Sequence, residues 1–237
     1  VCAVKADGSL WCWGGGNDGL LGCCTNPGAG WCDDPDSGTP TEVADGIVYL
    51  DLGDRQATAI HQTGSGTHLW TWGNNNSTTR DVAGPIPASG EGAAAAQGAA
   101  AYYYWAYRNG GTVYRVDGWG TPYVDAGAPT GVVDLAAGGY VHCAIDGAGD
   151  LWCRGSNRTG QLGNGDWGGD AYELSEPWAR VSGPQGSWVD VEVGGGTVCA
   201  RDAAVGAISA SGSQMYSRTV APAAFSSAMT LPERSWT

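Results

Sequence analysis

His142-Cys143-Ala144-Ile145-Asp146-Gly147-Ala148-Gly149-Asp150-Leu151-Trp152-Cys153-Arg154-Gly155 is the stretch on which the fold turns. A short apolar run ends in a glycine-bearing turn, and a second run, Leu-Trp-Cys-x-Gly, returns. The first residues of the chain repeat the pattern: Val1-Cys2-Ala3-Val4-Lys5-Ala6-Asp7-Gly8-Ser9-Leu10-Trp11-Cys12-Trp13-Gly14. A hairpin closed by Ala6-Asp7-Gly8 sets Cys2 opposite Cys12. Three-residue hairpin loops favour glycine at their left-handed last position, which Gly8 and Gly149 supply. Side chains alternate between the faces of a strand, so Trp11 and Trp13 lie opposite to Cys12.

Three further copies are legible. Thr58-Ala59-Ile60, a turn through Gly64-Ser65-Gly66, and Leu69-Trp70-Thr71-Trp72-Gly73 reproduce the unit with threonine in both cysteine positions. Trp105-Ala106-Tyr107, Gly110-Gly111 and Val113-Tyr114-Arg115 form a looser copy. The last is Cys199-Ala200-Arg201 with Ala207-Ile208-Ser209, which puts Ser209 where a second cysteine would fall. Aliphatic strands precede several copies, at 48–52, 131–136 and 188–193.

The surrounding composition agrees. The 237 residues include 41 Gly and 12 Trp, a mixture suited to short strands and tight turns and ill suited to helices. A chain of this length is ordinary for one all-β domain. Twenty-four acidic residues against 11 basic give a net charge of −13, which argues against nucleic acid and anionic membrane partners. No apolar run approaches the roughly 18 residues of a membrane helix. The small-residue patch at 93–101 is interrupted by Gln97 and Gly98. The chain opens at Val1 with no leader pattern, which reads as a processed, excised or partial sequence.

Eight cysteines stand at 2, 12, 23, 24, 32, 143, 153 and 199. Disulfides Cys2–Cys12 and Cys143–Cys153 follow from the matching hairpin positions, and the Thr58/Thr71 pair is a natural cross-strand substitute. Each such loop closure is worth roughly 2.5–3 kcal/mol in the chain-entropy model. Cys32 is expected to bond Cys23 or Cys24, stapling an insertion at 23–38, with the remaining thiol joined to Cys199 or to another chain. Adjacent Cys23-Cys24 lacks zinc-ligand spacing, and no histidine is near in sequence, so no metal is assigned. Disulfides imply an oxidising compartment. Asn75, Asn76 and Asn157 begin Asn-x-Ser/Thr triplets, the acceptor pattern of an extracellular glycoprotein.

Gly155-Ser156-Asn157-Arg158-Thr159-Gly160-Gln161-Leu162-Gly163 follows the Cys143 unit, and Gly15-Gly16-Asn17-Asp18-Gly19-Leu20-Leu21-Gly22 follows the first. These stretches, with the Cys-Ala-aliphatic strand, resemble the regulator-of-chromosome-condensation repeat and its Gly-x-Asn-x-x-Gly-Gln-Leu-Gly loop. The paired-cysteine form is similar to secreted members. The resemblance spans most of residues 1–237, with two of five copies matching strongly. It implies a single β-propeller domain and protein recognition. About five units are visible, at spacings of about 38 to 56 residues, whereas the family ring has seven blades. Ser235-Trp236-Thr237 resembles Ser187-Trp188-Val189 and suggests closure of the ring by the chain end. The strand equivalent to 190–195 does not follow it. A five-bladed ring and a fragment of a seven-bladed one both remain open.

No catalytic constellation stands out. His61 and His68 flank one turn and are expected at the surface, and His142 abuts Cys143; structural roles are expected for all three. No nucleophile elbow, phosphate loop or His-Glu-x-x-His is present. The run Asp33-Asp34-Pro35-Asp36-Ser37-Gly38 is expected to be an Asp-Pro turn; Asp34 and Asp36 are its calcium alternative, although Thr39 stands where a calcium loop needs glycine. Asn164-Gly165-Asp166-Trp167 is expected to be a turn. The sequence thus predicts an extracellular, non-enzymatic binding module without cofactor, recognising a protein. A carbohydrate-binding lectin and a self-assembling filament or coat subunit are the alternatives. Contact candidates are the aromatics outside the repeat positions: Trp31, Tyr102, Tyr103, Tyr104, Trp119, Trp167 and Trp178, with Trp31, Tyr103, Trp119 and Trp167 favoured.

Overall fold

A computed structural model describes residues 1–16, 21, 36–53, 56–64, 66–73, 97–100, 105–116, 122–168, 177–183, 186–194, 196–203 and 208–212. Every regular element among them is a strand. Five antiparallel sheets follow one another along the chain, each a simple meander. The first holds β1 (Cys2–Val4), β2 (Leu10–Gly14) and β3 (Ser37–Ala44); the second β4 (Ile47–Leu52), β5 (Gln56–Thr63) and β6 (Gly66–Gly73). The third has β7 (Gln97–Ala100), β8 (Trp105–Asn109), β9 (Thr112–Val116) and β10 (Pro122–Val124). The fourth has β11 (Val132–Gly138), β12 (Val141–Asp146), β13 (Leu151–Gly155) and β14 (Ala179–Arg180); the fifth β15 (Trp188–Gly194), β16 (Thr197–Asp202) and β17 (Ile208–Gly212).

The leading strands touch in chain order, β4 on β7, β7 on β11 and β11 on β15. The apolar cores lie between successive sheets rather than within one. Leu10, Ile47, Ala57 and Trp72 join the first two, and Ile60, Leu69 and Tyr107 join the second to the third. Ala106, Val113, Val132, Leu135 and Trp178 fill the next seam. Val141, Ile145, Leu162, Trp188, Val191 and Val198 fill the last. Successive sheets therefore pack face to face as blades, the arrangement of a propeller. Gly138 lets β11 and β15 converge: a Cβ there would sit 2.4 Å from the Val193 carbonyl oxygen.

The hairpins form as their sequence requires. Gly8 donates to Lys5 O at 2.9 Å and Gly149 to Asp146 O at 2.9 Å, closing three-residue loops with φ of 86° and 78° at the glycines. Cys2 faces Cys12 and Cys143 faces Cys153 in register, and both pairs are disulfides with Cα atoms 4.1 Å apart. Thr58 faces Thr71 at the same place in the second blade. Two expectations are corrected in the fifth. Cys199 faces Ala210, not Ser209, because the longer loop of this hairpin moves the register by one. Cys199 is also a free thiol; its neighbours on the flanking strands are Glu192 and Ala210, so the local pairing offers it no second sulfur. Cys23, Cys24 and Cys32, the stapled insertion and the closing segment Ser235-Trp236-Thr237 lie outside the described residues.

A joint that the repeat did not reveal recurs at three seams. The carbonyl of the turn glycine accepts the amide of the first residue of the next leading strand: Gly8 from Ile47 (2.9 Å), Gly111 from Val132 (2.9 Å) and Gly149 from Trp188 (3.1 Å). Immediately afterwards the register slips at Val48, Val133 and Val189. A bulge leaves its extra residue outside the ladder and re-aims it. These valines accordingly stand 61%, 51% and 44% exposed.

Candidate functional site

Two features at opposite ends of the fourth blade present chemistry to a partner. Beyond the end of β13, the loop through 156–168 folds back on Asn157. That side chain donates to Asn164 Oδ1 (3.3 Å) and the Asp166 carbonyl (3.1 Å), and accepts the Leu162 amide (3.1 Å). Gly168 donates to the Asn157 carbonyl at 3.0 Å, and Gln161 accepts the Thr159 amide at 2.8 Å. Leu162 plugs the loop into the core between the fourth and fifth blades. On this fixed platform Trp167 is 82% exposed.

The expected sugar attachment at Asn157 is corrected by the same contacts. Its amide nitrogen is spent on two acceptors and the residue is buried, so it is not a glycan acceptor in this fold. Trp178 is corrected too: it is buried, and its Nε1 donates to Asp125 Oδ2 at 3.2 Å. Asp36 Oδ1 accepts the Gly16 amide at 2.9 Å, a contact between residues 20 positions apart. Trp31, Tyr102, Tyr103, Tyr104, Trp119, Asn75, Asn76 and Asp34 lie outside the described residues. Among the described residues no set of three His, Cys, Asp or Glu side chains is placed to hold a metal ion.

At the other end of β13 a cleft of about 500 Å³ opens between the fourth and fifth blades. The turn 146–149, the bulges at Val133 and Val189, and Asp134, Asp190 and Ala203 form its walls. The walls are tied together: Gly186 and Trp188 donate to the Gly149 carbonyl at 3.1 Å, and Val191 donates to Asp134 Oδ2 at 2.9 Å. Asp146 is engaged internally, accepting the Ala148 and Asp150 amides and the Trp152 indole at 2.9 to 3.0 Å. Asp190 meets Arg201 Nε at 3.3 Å in an exposed pair. Glu192 follows on β15; partial burial, then Asp190 and Asp134, hold its proton above the usual carboxylate range. Residue pairs such as Val132-Val133 and Trp188-Val189 break the apolar–polar alternation, and that double step was the sequence signal for the bulges.

The histidines take structural places. His61 faces His68 across the β5–β6 hairpin; both are half-buried, the first with its ring 4.5 Å from Trp70 and the second with Nε2 3.2 Å from Thr63 Oγ1. His142 is fully buried, and neither ring nitrogen has a hydrogen-bond partner among the described residues. Burial, then the Arg115 and Arg154 guanidiniums, pushes its pKa down to about 3. Arg154 Nη1 in turn grips both oxygens of buried Asp125 at 3.0 and 2.9 Å, linking the third and fourth blades. This buried pair has no signal in the repeat.

No protein-family model matches the chain, and no curated protein matches it in sequence. Solved structures do. Prp20p of Saccharomyces cerevisiae, in a structure described with its binding to Gsp1p and histones, aligns with a TM-score of 0.67 at 16% identity, over 89% of this chain and 54% of its own. Yeast RCC1 (Prp20) bound to Kap60 aligns with a TM-score of 0.68 at 16% identity, over 89% and 53%. Human WBSCR16 gives 0.61 at 16% identity, over 89% and 58%. The chain spans about half the length of these propellers. Meander blades with apolar cores at their seams agree with that likeness: the chain has the RCC1-type β-propeller fold.

Proposed function

We propose that this chain is an extracellular, non-enzymatic binding module that recognises another protein through the loops at its blade ends. One observation carries it: Trp167 stands 82% exposed on a loop whose backbone is fixed through Asn157. Tryptophans held in place beforehand are characteristic anchors of protein interfaces, because a large apolar area is buried at little ordering cost. The structural neighbours Prp20p and yeast RCC1 are described in complexes or binding studies with Gsp1p, histones and Kap60, which supports protein recognition as the use of such a fold. The two disulfides support an oxidising compartment. The described histidines favour a role other than catalysis, since each is packed into a hairpin or a core.

The test is capture from extracellular fluid on the immobilised protein, followed by mass spectrometry, with Trp167→Ala compared at equal thermal stability. A specific protein is expected, with retention falling at least tenfold in the variant. Capture indifferent to Trp167, ligand released by free sugar, or covalent multimers on a non-reducing gel as the sole product would overturn the reading. The second outcome would mark a lectin and the third a filament or coat subunit.

A further inference from the structure

The cleft between the fourth and fifth blades has a character of its own. Its two bulge valines present methyl groups to solvent, and its lining contains three aspartates and no lysine, arginine or histidine. We propose that this cleft takes an extended, cationic segment of a partner protein, seating an aliphatic side chain on Val133 and Val189 and a lysine or arginine head between Asp134 and Asp190. The inference rests on the chain's being a protein-binding module and adds a contact at the opposite end of the fourth blade from Trp167.

Several features fit that occupant. The cavity, at about 500 Å³, matches the size of one or two side chains with their backbone. Its walls are already hydrogen-bonded to one another, so little ordering is required on binding. Bulged residues leave backbone groups outside the ladder, and an extended peptide can pair with such groups. Charge selects the rest. Partial burial, then the charges of Asp190 and Asp134, disfavour ionisation of Glu192, and the cation beside them, Arg201, reaches Asp190 through an exposed contact of 3.3 Å. No set of three His, Cys, Asp or Glu side chains among the described residues is placed to hold a metal ion. A guanidinium or ammonium offers its charge to the aspartates while its aliphatic stem covers the valines. Asp146 holds the turn and Trp152, Asp134 accepts the Val191 amide and Asp190 meets Arg201, so an incoming cation adds to the partners of Asp134 and competes with Arg201 for Asp190.

The experiment titrates the protein with an acetylated and amidated Val-Arg-Val-Arg-Val peptide, and with Val-Glu-Val-Glu-Val as counterpart, by calorimetry. Saturable binding of the arginine peptide alone is expected, weakening about tenfold in Asp134→Asn/Asp190→Asn and at least threefold between 50 and 300 mM salt. Val133→Thr/Val189→Thr should weaken it several-fold with an unchanged salt slope. Asp45→Asn, on an exposed turn away from the cleft, serves as the control for diffuse charge. Equal binding of both peptides, an unaffected double aspartate variant, or an equal loss in Asp45→Asn would overturn the proposal. The Asp134→Asn change keeps an acceptor oxygen for the Val191 amide; if the double variant nonetheless melts early, Asp190→Asn and Val189→Thr singly carry the test. The titration makes no use of Trp167. Its failure therefore refutes the cleft and leaves the capture result standing, and a capture indifferent to Trp167 does the reverse.

Discussion

Mild acid is expected to loosen this fold through one side chain. His142 is enclosed by β11, where Ala137 is its cross-strand neighbour, and by β13, where Arg154 is; Arg115 approaches from β9. Its folded pKa of about 3 lies well below the 6.5 of a free imidazole, so the unfolded chain takes up a proton that the folded chain refuses. A group depressed in this way leaves stability intact above the unfolded value and erodes it as pH falls from 6.5 toward 3. Between pH 6.5 and 5 the folded ring stays neutral while the unfolded one is protonated. One and a half units at about 1.4 kcal/mol each give a loss of about 2 kcal/mol from this residue alone.

The assay is denaturant unfolding at pH 7, 6 and 5 with disulfides intact, followed by tryptophan fluorescence, for the native protein and His142→Leu. The variant should lose about 2 kcal/mol less over that span. Leucine also removes two buried nitrogens that lack partners, so stability at pH 7 should be equal or higher. The comparison is of slopes, so a packing penalty common to all pH values leaves it readable. Parallel pH profiles for the two would refute the reasoning, because they would show that His142 is protonated in the folded state.

Three other outcomes follow from the geometry. Gly149→Ala places a Cβ 2.8 Å from the Gly186 carbonyl carbon at φ 78°, whereas Gly8→Ala meets its nearest atoms at 3.5 Å with φ 86°. Denaturant titration should show about 1–2 kcal/mol lost at Gly8 and about 2–4 kcal/mol at Gly149, and equal losses would contradict the seam joint. Ala210→Cys should oxidise with Cys199, since the two face each other as Cys143 faces Cys153; the free thiol disappears from an alkylation assay and the fold gains about 3 kcal/mol. Asp125→Ala strands the Arg154 guanidinium in a buried site and should cost about 3–5 kcal/mol, with much of it recovered on adding Arg154→Met.

The sequence announced the hairpins because their chemistry is local. A loop of three residues, a left-handed glycine and a cross-strand cysteine pair are all contained within 14 positions, and each reappears where expected at Cys2–Cys12 and Cys143–Cys153. What escaped is the chemistry between blades. Asp125 and Arg154 are 29 residues apart, Asp134 and Val191 57 apart, and nothing in either neighbourhood names the other. Asn157 was legible as a loop residue, but only the fold shows its amide consumed. Trp178 and Trp167 read alike as aromatics outside the repeat; one became a seam residue because Asp125 lies within reach of its indole, and the other has only solvent above it.

That contrast locates where a repeat protein can differ from its own repeat. The turn glycine, the strand-leading amide and the bulged valine recur at the seams entered by Ile47, Val132 and Trp188, so they serve the scaffold. The residue after the bulge is free to vary, and it does. In the second blade it is Tyr49, which packs against the core of Ile60 and Leu69. In the fourth and fifth it is Asp134 and Asp190. Among the described blades, only the seam between the fourth and fifth sets two aspartate-bearing bulges against one cleft. Three copies of one architectural device are a matter of folding. An acidic pair placed on adjacent copies is not required by that device, since Tyr49 serves it equally well, and so the pair is where a partner's chemistry has room to be specified.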